Sequence, residues 1–151
     1  MLWDLLLVEK IKNFMAINNL QEIQERVFSS GQIKSNELEE LLKYRQEDKI
    51  DFKLIDIREI YEYSDESIDG TDLLYPTTIF HKYIDDLNTM KNENIILYCR
   101  TGNRTGQVLG ILKTMDFKNI AHLTLGIISY SGKTSKNAKL PQKKENKWKF
   151  Y

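Results

Sequence analysis

The chain reads IILYCRTGNRT from Ile95 to Thr105, and this stretch indicates how the fold is built. Its apolar residues, Ile95 to Tyr98, form an unbroken run typical of a strand buried on both faces of a parallel sheet. A polar loop follows, and after it apolar residues recur at helical spacing: Val108, Ile111, Leu112 and Met115. The stretch therefore predicts a central strand ending at Tyr98, a loop, and a helix beginning near Arg104.

Strand and helix patterns alternate on either side of this stretch. The predicted strands are Phe52–Ile57, Leu73–Tyr75 and Asn119–Leu125. Three helices are predicted between these strands. The first has Ser35 as its N-cap, the second covers Arg58 to Tyr63, and the third carries the apolar stripe Ile79, Tyr83, Leu87 and Met90. Strands separated by helices imply an α/β fold with a parallel sheet and helices on both faces.

The first thirty residues predict a helical extension of two helices, separated at Asn18-Asn19. The first carries an apolar stripe of Trp3, Leu7, Ile11 and Phe14, widened by Leu2, Leu6 and Met15. In the second, which Asn19 caps, the shared face holds Leu20, Ile23 and Val27. We expect these helices to pack on their own domain or on a second copy of it, which would form a homodimer.

Composition indicates one soluble globular domain, with 151 residues, of which 41% are hydrophobic and 29% charged. The predicted parts are a helical extension (1–30), the α/β domain (31–132) and a lysine-rich tail (133–151). The tail holds seven lysines and one acid, so the remaining 132 residues hold 15 basic and 21 acidic side chains. We interpret the tail as a solvated terminus. An arm for an acidic partner is a weaker alternative, and no motif supports nucleic-acid binding.

The beginning of the chain does not resemble a secretory signal, because an acid, Asp4, interrupts its first apolar run. No apolar run approaches the roughly 20 residues of a membrane span. We therefore expect a cytoplasmic protein without a membrane partner.

The loop after Tyr98 predicts a reactive cysteine at Cys99. Ligands bind where the strands of an open parallel sheet end, and the helix N-terminus that follows favours an anion. Gly102 allows a tight turn that points backbone N–H groups inward, while Arg100 and Arg104 add positive charge. These features should lower the pKa of Cys99 and make it a nucleophile. A lone cysteine is more often buried filler, but a polar loop between a buried strand and a helix favours anion binding.

The loop Cys99-Arg100-Thr101-Gly102-Asn103-Arg104-Thr105 resembles the active-site loop of the rhodanese family. A second resemblance lies upstream, in Leu54-Ile55-Asp56-Ile57-Arg58, then Glu62-Tyr63 and Ile68-Asp69-Gly70. The likeness covers about Gly31 to Gly132. It implies a five-stranded parallel sheet and transfer of a sulfane sulfur through a Cys99 persulfide, with Arg100, Thr101, Gly102, Asn103, Arg104 and Thr105 binding the substrate. Glu66-Ser67 and Gly126-Ile127 depart from the family's common turns.

Other polar residues are assigned structural roles. Asp56 and Arg58 should fix a turn by pairing with Glu59 or Glu62, with direct substrate contact a weaker alternative. His81 and His122 have no metal-ligand spacing, so we predict neither a metal nor a cofactor, and they offer little basis for a Cys-His pair.

Three functions remain open at this point. A sulfurtransferase would take sulfur from a small anionic donor such as thiosulfate or polysulfide, or from a protein persulfide, and pass it to a thiophilic acceptor. A sulfur carrier or interaction module would use the same cysteine without turnover. A cysteine phosphatase or arsenate reductase is the weakest alternative, because only four residues separate Cys99 from Arg104 and phosphatase loops hold five.

Overall fold

A computed structural model describes residues 2–142 and shows a five-stranded, all-parallel sheet. In chain order its strands are β1 (Gln32–Ile33), β2 (Lys53–Asp56), β4 (Leu73–Leu74), β5 (Ile95–Tyr98) and β6 (Ile120–Leu123). Their spatial order is β1-β6-β5-β2-β4. Two further short strands, β3 (Ser67–Ile68) and β7 (Thr134–Ser135), pair antiparallel beside it. The predicted α/β fold with a five-stranded parallel sheet is confirmed.

Helices cover both faces of this sheet. They are α1 (Leu2–Ser30), α2 (Ser35–Gln46), α3 (Ile60–Asp65), α4 (Ile84–Asn88) and α5 (Asn103–Thr114), with 3-10 turns at Thr77–Tyr83 and Ile127–Ser129. The predicted helix near residues 79–90 is a 3-10 turn followed by the short α4, because the backbone at Ile79 leaves helical angles. Helix α5 begins one residue before the position predicted for it.

Strand β5 lies in the middle of the sheet, between β2 and β6. All four of its side chains are buried. Ile96 and Tyr98 face the core shared with α1 and α2, whereas Ile95 and Leu97 face the core beneath α5. Cys99, the next residue, belongs to the α5 side. The central position predicted for this strand is therefore confirmed.

Helix α1 is continuous, so the predicted interruption at Asn18-Asn19 is wrong. The Asn19 side chain does not cap a second helix. Its amide instead donates a hydrogen bond to the Glu40 carboxylate of α2, at 3.1 Å. Leu20, Ile23 and Val27 bury the second half of α1 against the sheet. Tertiary contacts thus stabilise helical geometry through a pair of asparagines that would weaken an isolated helix.

Residues 2–15, which we call the exposed half of α1, lie in solvent. Trp3 is 85% exposed and Phe14 65%, with Leu7 and Ile11 also exposed. The flanking apolar residues are exposed as well: Leu2, Leu6 and Met15. The prediction that this stripe packs on its own domain is wrong. Among the described residues, no helix combines the length and apolarity that crossing a bilayer requires.

Two smaller expectations also differ from the structure. Lys34, not Ser35, occupies the N-cap position of α2, and the Glu37 carboxylate accepts the Lys34 backbone N–H at 3.0 Å. The Ser35 hydroxyl lies 3.0 Å from that of Ser131 instead. Thr134–Ser135, which the sequence placed in the tail, form β7 beside Ser67–Ile68. The rest of the tail from residue 143 lies outside the described residues.

Candidate active site

The segment Cys99–Thr105, which we call the cysteine loop, joins the central strand β5 to α5. Its first two carbonyl groups are held by the 3-10 turn after β6. The backbone N–H of Ile127 donates to the Cys99 carbonyl at 2.9 Å, and that of Ile128 donates to the Arg100 carbonyl at 3.1 Å. The loop is therefore fixed to the end of the neighbouring strand as well as to its own.

Two glycines allow the cysteine loop and the turn after β6 to interlock. Gly102 occupies the left-handed region with φ of 96°, and a Cβ there would overlap the Thr124 carbonyl oxygen. Gly126 has φ of 69°, and a Cβ there would overlap the Arg100 carbonyl. Both positions demand a residue without a side chain, because L-residues are strained at these angles and the backbones touch. The tight turn predicted at Gly102 is present.

The Cys99 sulfur lies beneath this turn, with the residue only 1% exposed. The Gly102 N–H donates to Sγ at 3.2 Å, and the Thr105 hydroxyl lies 3.5 Å from it. Burial raises the pKa of the Cys99 thiol, but hydrogen bonds from Thr105, Gly102 and Thr101 outweigh burial, so the pKa is lowered. Because hydrogen bonds to the charged form favour it, the loop stabilises a thiolate.

The two arginines of the loop differ in their contacts. Arg104 makes a two-pronged ion pair with Glu62 of α3, through Nη1–Oε1 at 2.8 Å and Nη2–Oε2 at 2.9 Å. The hydrogen bond from Arg104 holds the pKa of Glu62 below its usual value, although burial acts in the opposite direction. Arg100 is exposed, and within residues 2–142 its guanidinium has no hydrogen-bond or ion-pair partner. Among the described residues, a carboxylate pairs with Arg104 but none pairs with Arg100.

Thr101 and Asn103 are exposed, whereas Gly102 and Thr105 are buried. The structure therefore places six of the seven predicted loop residues in two groups. Cys99, Gly102 and Thr105 form the floor of the loop, and Arg100, Thr101 and Asn103 form its solvent side. Arg104 lies between them, turned toward Glu62.

Asp56 and Arg58 form a buried ion pair at the end of β2. The Arg58 Nε and Nη2 atoms donate to both Asp56 carboxylate oxygens at 2.8–3.1 Å, and Nη2 also donates to the Glu66 carbonyl at 2.7 Å. The predicted pairing of these residues with Glu59 or Glu62 is wrong, because Asp56 and Arg58 bind each other and Glu62 binds Arg104. Their contacts fix the turn that leads from β2 to α3.

His122 is a site residue that the sequence analysis did not connect to the cysteine. Its Nδ1 lies 2.7 Å from the Thr105 hydroxyl, which itself lies 3.5 Å from Cys99 Sγ. Thr105 and His122 are seventeen positions apart on different elements, so no spacing rule links them. The only available signal was the period of β6, which turns His122 to the same face as Ile120, beneath α5. His81 is exposed in the 3-10 turn after β4.

The arrangement can hold a negatively charged sulfur. A backbone N–H and a hydroxyl approach Sγ, and the first turn of α5 adds the partial positive charge of a helix N-terminus. Arg100, which is exposed in the loop, adds a positive charge that no described residue pairs with. Within residues 2–142, no group of three or more His, Cys, Asp or Glu side chains is placed to hold a metal ion.

Comparison with known proteins identifies a family to which most of the chain is similar. The model of the Rhodanese-like domain matches residues 37–133, which include the cysteine loop, α5 and β6. Among curated proteins, a tRNA uridine(34) hydroxylase from Buchnera aphidicola is 35% identical over 81 residues, covering 51% of this chain and 26% of that protein. A probable adenylyltransferase/sulfurtransferase, MoeZ of Mycobacterium tuberculosis, is 30% identical over 78 residues, covering 52% of this chain and 20% of its own.

Among solved structures, thiosulfate sulfurtransferase from Pseudomonas aeruginosa aligns with a TM-score of 0.62 at 19% identity. The alignment covers 83% of this chain and 24% of that one. At this identity the likeness concerns the fold alone. The matched region is 20–26% of each of these three proteins, each of which is therefore much longer than the part it shares with this chain.

Proposed function

Since the chain belongs to the rhodanese-like domain family, we propose that it is a sulfurtransferase in which Cys99 carries the transferred sulfur. The observation that carries the proposal is the environment of Sγ. The only cysteine of the sequence lies at the end of the central strand, below the Gly102 N–H and the Thr105 hydroxyl. The relative named as a sulfurtransferase supports the same class of reaction.

The first half-reaction is attack of the Cys99 thiolate on the outer sulfur of an anionic donor such as thiosulfate or polysulfide. A bond forms between Sγ and that sulfur, and the sulfur–sulfur bond of the donor breaks. With thiosulfate, sulfite leaves with the electron pair of the broken bond. The product is a Cys99 persulfide whose outer sulfur is negatively charged. The N–H groups of the loop and the α5 N-terminus stabilise this charge.

The second half-reaction returns the enzyme to its starting state. A thiophilic acceptor, such as cyanide or a thiolate, attacks the outer sulfur, and the Cys99 thiolate leaves. Two covalent half-reactions imply ping-pong kinetics. A protein persulfide as donor and a protein thiol as acceptor use the same chemistry, so partner proteins belong to the proposal alongside small molecules.

The contacts of Arg104 favour sulfur transfer over phosphatase or arsenate reductase activity. A phosphatase needs the arginine that closes its loop to clamp an oxyanion, whereas here Arg104 is engaged by both oxygens of Glu62. The loop is also one residue shorter than a phosphatase loop. A sulfur carrier that loads but does not turn over remains the second candidate, and only kinetics separates it from an enzyme.

The direct test is the intact mass of the protein after incubation with thiosulfate or polysulfide. Wild type should gain one sulfur atom, which maps to Cys99 without ambiguity because the chain has no other cysteine. Cys99→Ser should gain none, since a hydroxyl cannot form a persulfide. Addition of cyanide should remove the sulfur and release thiocyanate.

Three outcomes separate the candidate functions. Repeated release of thiocyanate identifies an enzyme, whereas a single loading without turnover identifies a carrier. If the protein releases phosphate from an aryl phosphate in a Cys99-dependent way and gains no sulfur, it is a phosphatase and the proposal is wrong.

A further inference from the structure

The Thr105 hydroxyl has three possible hydrogen-bond partners in the buried floor of the site. These are His122 Nδ1 at 2.7 Å, the Gly102 carbonyl at 3.1 Å and Cys99 Sγ at 3.5 Å. Thr105 is fully buried and His122 is 8% exposed, so bulk water does not compete freely for these positions. A hydroxyl carries one proton and can donate to only one partner at a time. The direction of that proton decides whether Thr105 stabilises the cysteine sulfur.

The state of His122 controls this direction. If Nδ1 is bare, it is the nearest acceptor and draws the hydroxyl proton away from Sγ. If Nδ1 carries a proton, it donates to Thr105 Oγ1, and the hydroxyl proton is released toward the sulfur or the Gly102 carbonyl. That carbonyl already accepts the Gly106 N–H at 3.0 Å. The thiolate is therefore the stronger acceptor for the hydroxyl proton, because a negative charge on the acceptor strengthens a hydrogen bond.

On the premise of the proposed function, we propose that His122 is a positioning residue: its Nδ1–H donates to Thr105 and thereby aims the threonine hydroxyl at the sulfur of Cys99. The chain His122–Thr105–Cys99 joins β6, α5 and the end of β5. Unlike a catalytic base, the imidazole takes no proton from the cysteine and acts on it only through the threonine.

The surroundings of His122 are consistent with a neutral ring. Its neighbours on the adjoining strands are Gln32 of β1 and Leu97 of β5, neither of which carries a charge. On α5, Gly106 leaves room above the ring, and Lys113 is the charged group that acts on it. Burial and the Lys113 charge both lower the pKa of His122. A neutral imidazole carries one proton, on either Nδ1 or Nε2. The tautomer therefore determines whether His122 donates to Thr105 or accepts from it.

The test compares two substitutions of nearly matched size. In His122→Asn, the side-chain amide can place an N–H where Nδ1 lies, whereas His122→Leu offers no donor. The readouts are the pKa of Cys99, from the ultraviolet absorbance of its thiolate, and the rate of alkylation by iodoacetamide. Cys99 is the only cysteine, so both signals report on it alone. Neither readout needs sulfur transfer, which keeps failure of this inference separate from failure of the proposed function.

We expect His122→Leu to raise the pKa of Cys99 and to slow alkylation at neutral pH about three- to tenfold, the range of one lost hydrogen bond. His122→Asn should recover most of the wild-type rate, which a loss of packing alone would not produce. Thr105→Val should reproduce the defect. The double variant Thr105→Val/His122→Leu should be no slower than Thr105→Val, because both changes interrupt one chain.

Nitrogen NMR of the imidazole supplies an independent check, since it identifies which ring nitrogen carries the proton. A protonated Nδ1 in the thiolate form of the wild type supports the proposal. A bare Nδ1, a His122→Leu variant that alkylates like wild type, or additive effects in the double variant would each overturn it.

Discussion

The cysteine loop and the exposed half of α1 differ in how many contacts they make with the rest of the protein. In the loop, the carbonyls of Cys99 and Arg100, the turn at Gly102 and the hydroxyl of Thr105 are each fixed by a contact of 3.5 Å or less with the surrounding protein or by direct backbone packing. In residues 2–15 of α1, every side chain is exposed. The cysteine loop is fixed by contacts within the described residues, whereas the apolar side chains of residues 2–15 are exposed.

The difference has an energetic meaning. Burying a large apolar side chain contributes about 1.5–3 kcal/mol, and the exposed half of α1 leaves nine such residues in water: Leu2, Trp3, Leu5, Leu6, Leu7, Val8, Ile11, Phe14 and Met15. Contiguous exposed apolar surface of this kind is typical of an interface. We propose that a second copy of the chain covers it, forming a homodimer through these helices.

The largest effect is expected at Gly102, where the loop is most constrained. Gly102→Ala should lower the free energy of unfolding by about 2 kcal/mol or more and abolish sulfur loading, because the new Cβ meets the Thr124 carbonyl at a left-handed φ. Chemical denaturation and intact mass measure the two effects. Gly110→Ala is the matched control. Its Cβ meets nothing within 4 Å in the interior of α5, so it should be stabilising by up to about 1 kcal/mol.

If Gly102→Ala folded and loaded sulfur like wild type, the conclusion that backbone contacts at Gly102 fix the loop would be wrong. Loss of stability in Gly110→Ala as well would show that α5 tolerates no added side chain, and the result at Gly102 would then say nothing specific about the turn.

A second prediction separates the two arginines of the loop. From sequence, alanine at either should raise KM for an anionic donor. The structure favours an effect on KM at Arg100, with which no described carboxylate pairs. Arg100→Ala should raise KM about fivefold, the equivalent of about 1 kcal/mol, with unchanged stability. Arg104→Ala should instead destabilise the fold, because it leaves the Glu62 carboxylate without its ion-pair partner. Steady-state kinetics and denaturation measure both; equal KM effects with no loss of stability would contradict the distinction.

The Glu62–Arg104 pair also predicts a pH dependence of stability. The pKa of Glu62 is lowered in the folded state by the hydrogen bond from Arg104, so its ion pair stabilises the protein above the unfolded pKa, near 4.5. That contribution is lost as pH falls through the lower folded pKa. The stability difference between wild type and Glu62→Gln should therefore be largest near neutral pH and shrink in acid. A difference that stays constant down to strongly acidic pH would exclude the linkage.

The smallest change in domain stability is expected at the exposed half of α1. Removal of residues 2–15 should alter the unfolding free energy of the dilute monomer by no more than about 0.5 kcal/mol, because these side chains contact little of the domain. It should nevertheless convert a dimer to a monomer in sedimentation or light scattering. Ile23→Ala, in the buried half of the same helix, should cost about 2–5 kcal/mol. A full-length chain that is already monomeric at high concentration would rule out the homodimer.

Several features were predictable because they depend on neighbours in the sequence. The unbroken apolar run of Ile95–Tyr98 indicated a strand buried on both faces, and the polar loop followed by a 3.6-residue period placed the start of α5 within one residue. Gly102 was predicted to make a tight turn because glycine is the residue that adopts such angles at low cost. The buried stripe Leu20, Ile23 and Val27 was also predicted, since its period is local.

The partners of the charged and polar side chains depended on the tertiary structure. The sequence analysis expected Arg58 to pair with Glu59 or Glu62, whereas packing gave Asp56 to Arg58 and Glu62 to Arg104. His122 reached Thr105 because β6 lies beside β5 under α5, a neighbour relation that no period encodes. The asparagines of α1 are helical because the residues after them, Leu20, Ile23 and Val27, are buried against the sheet and because Glu40 of α2 binds Asn19. Local backbone preference depends on consecutive residues and can be predicted from them. Pairing among distant charged and polar groups depends on which of them the folded sheet brings within hydrogen-bond distance.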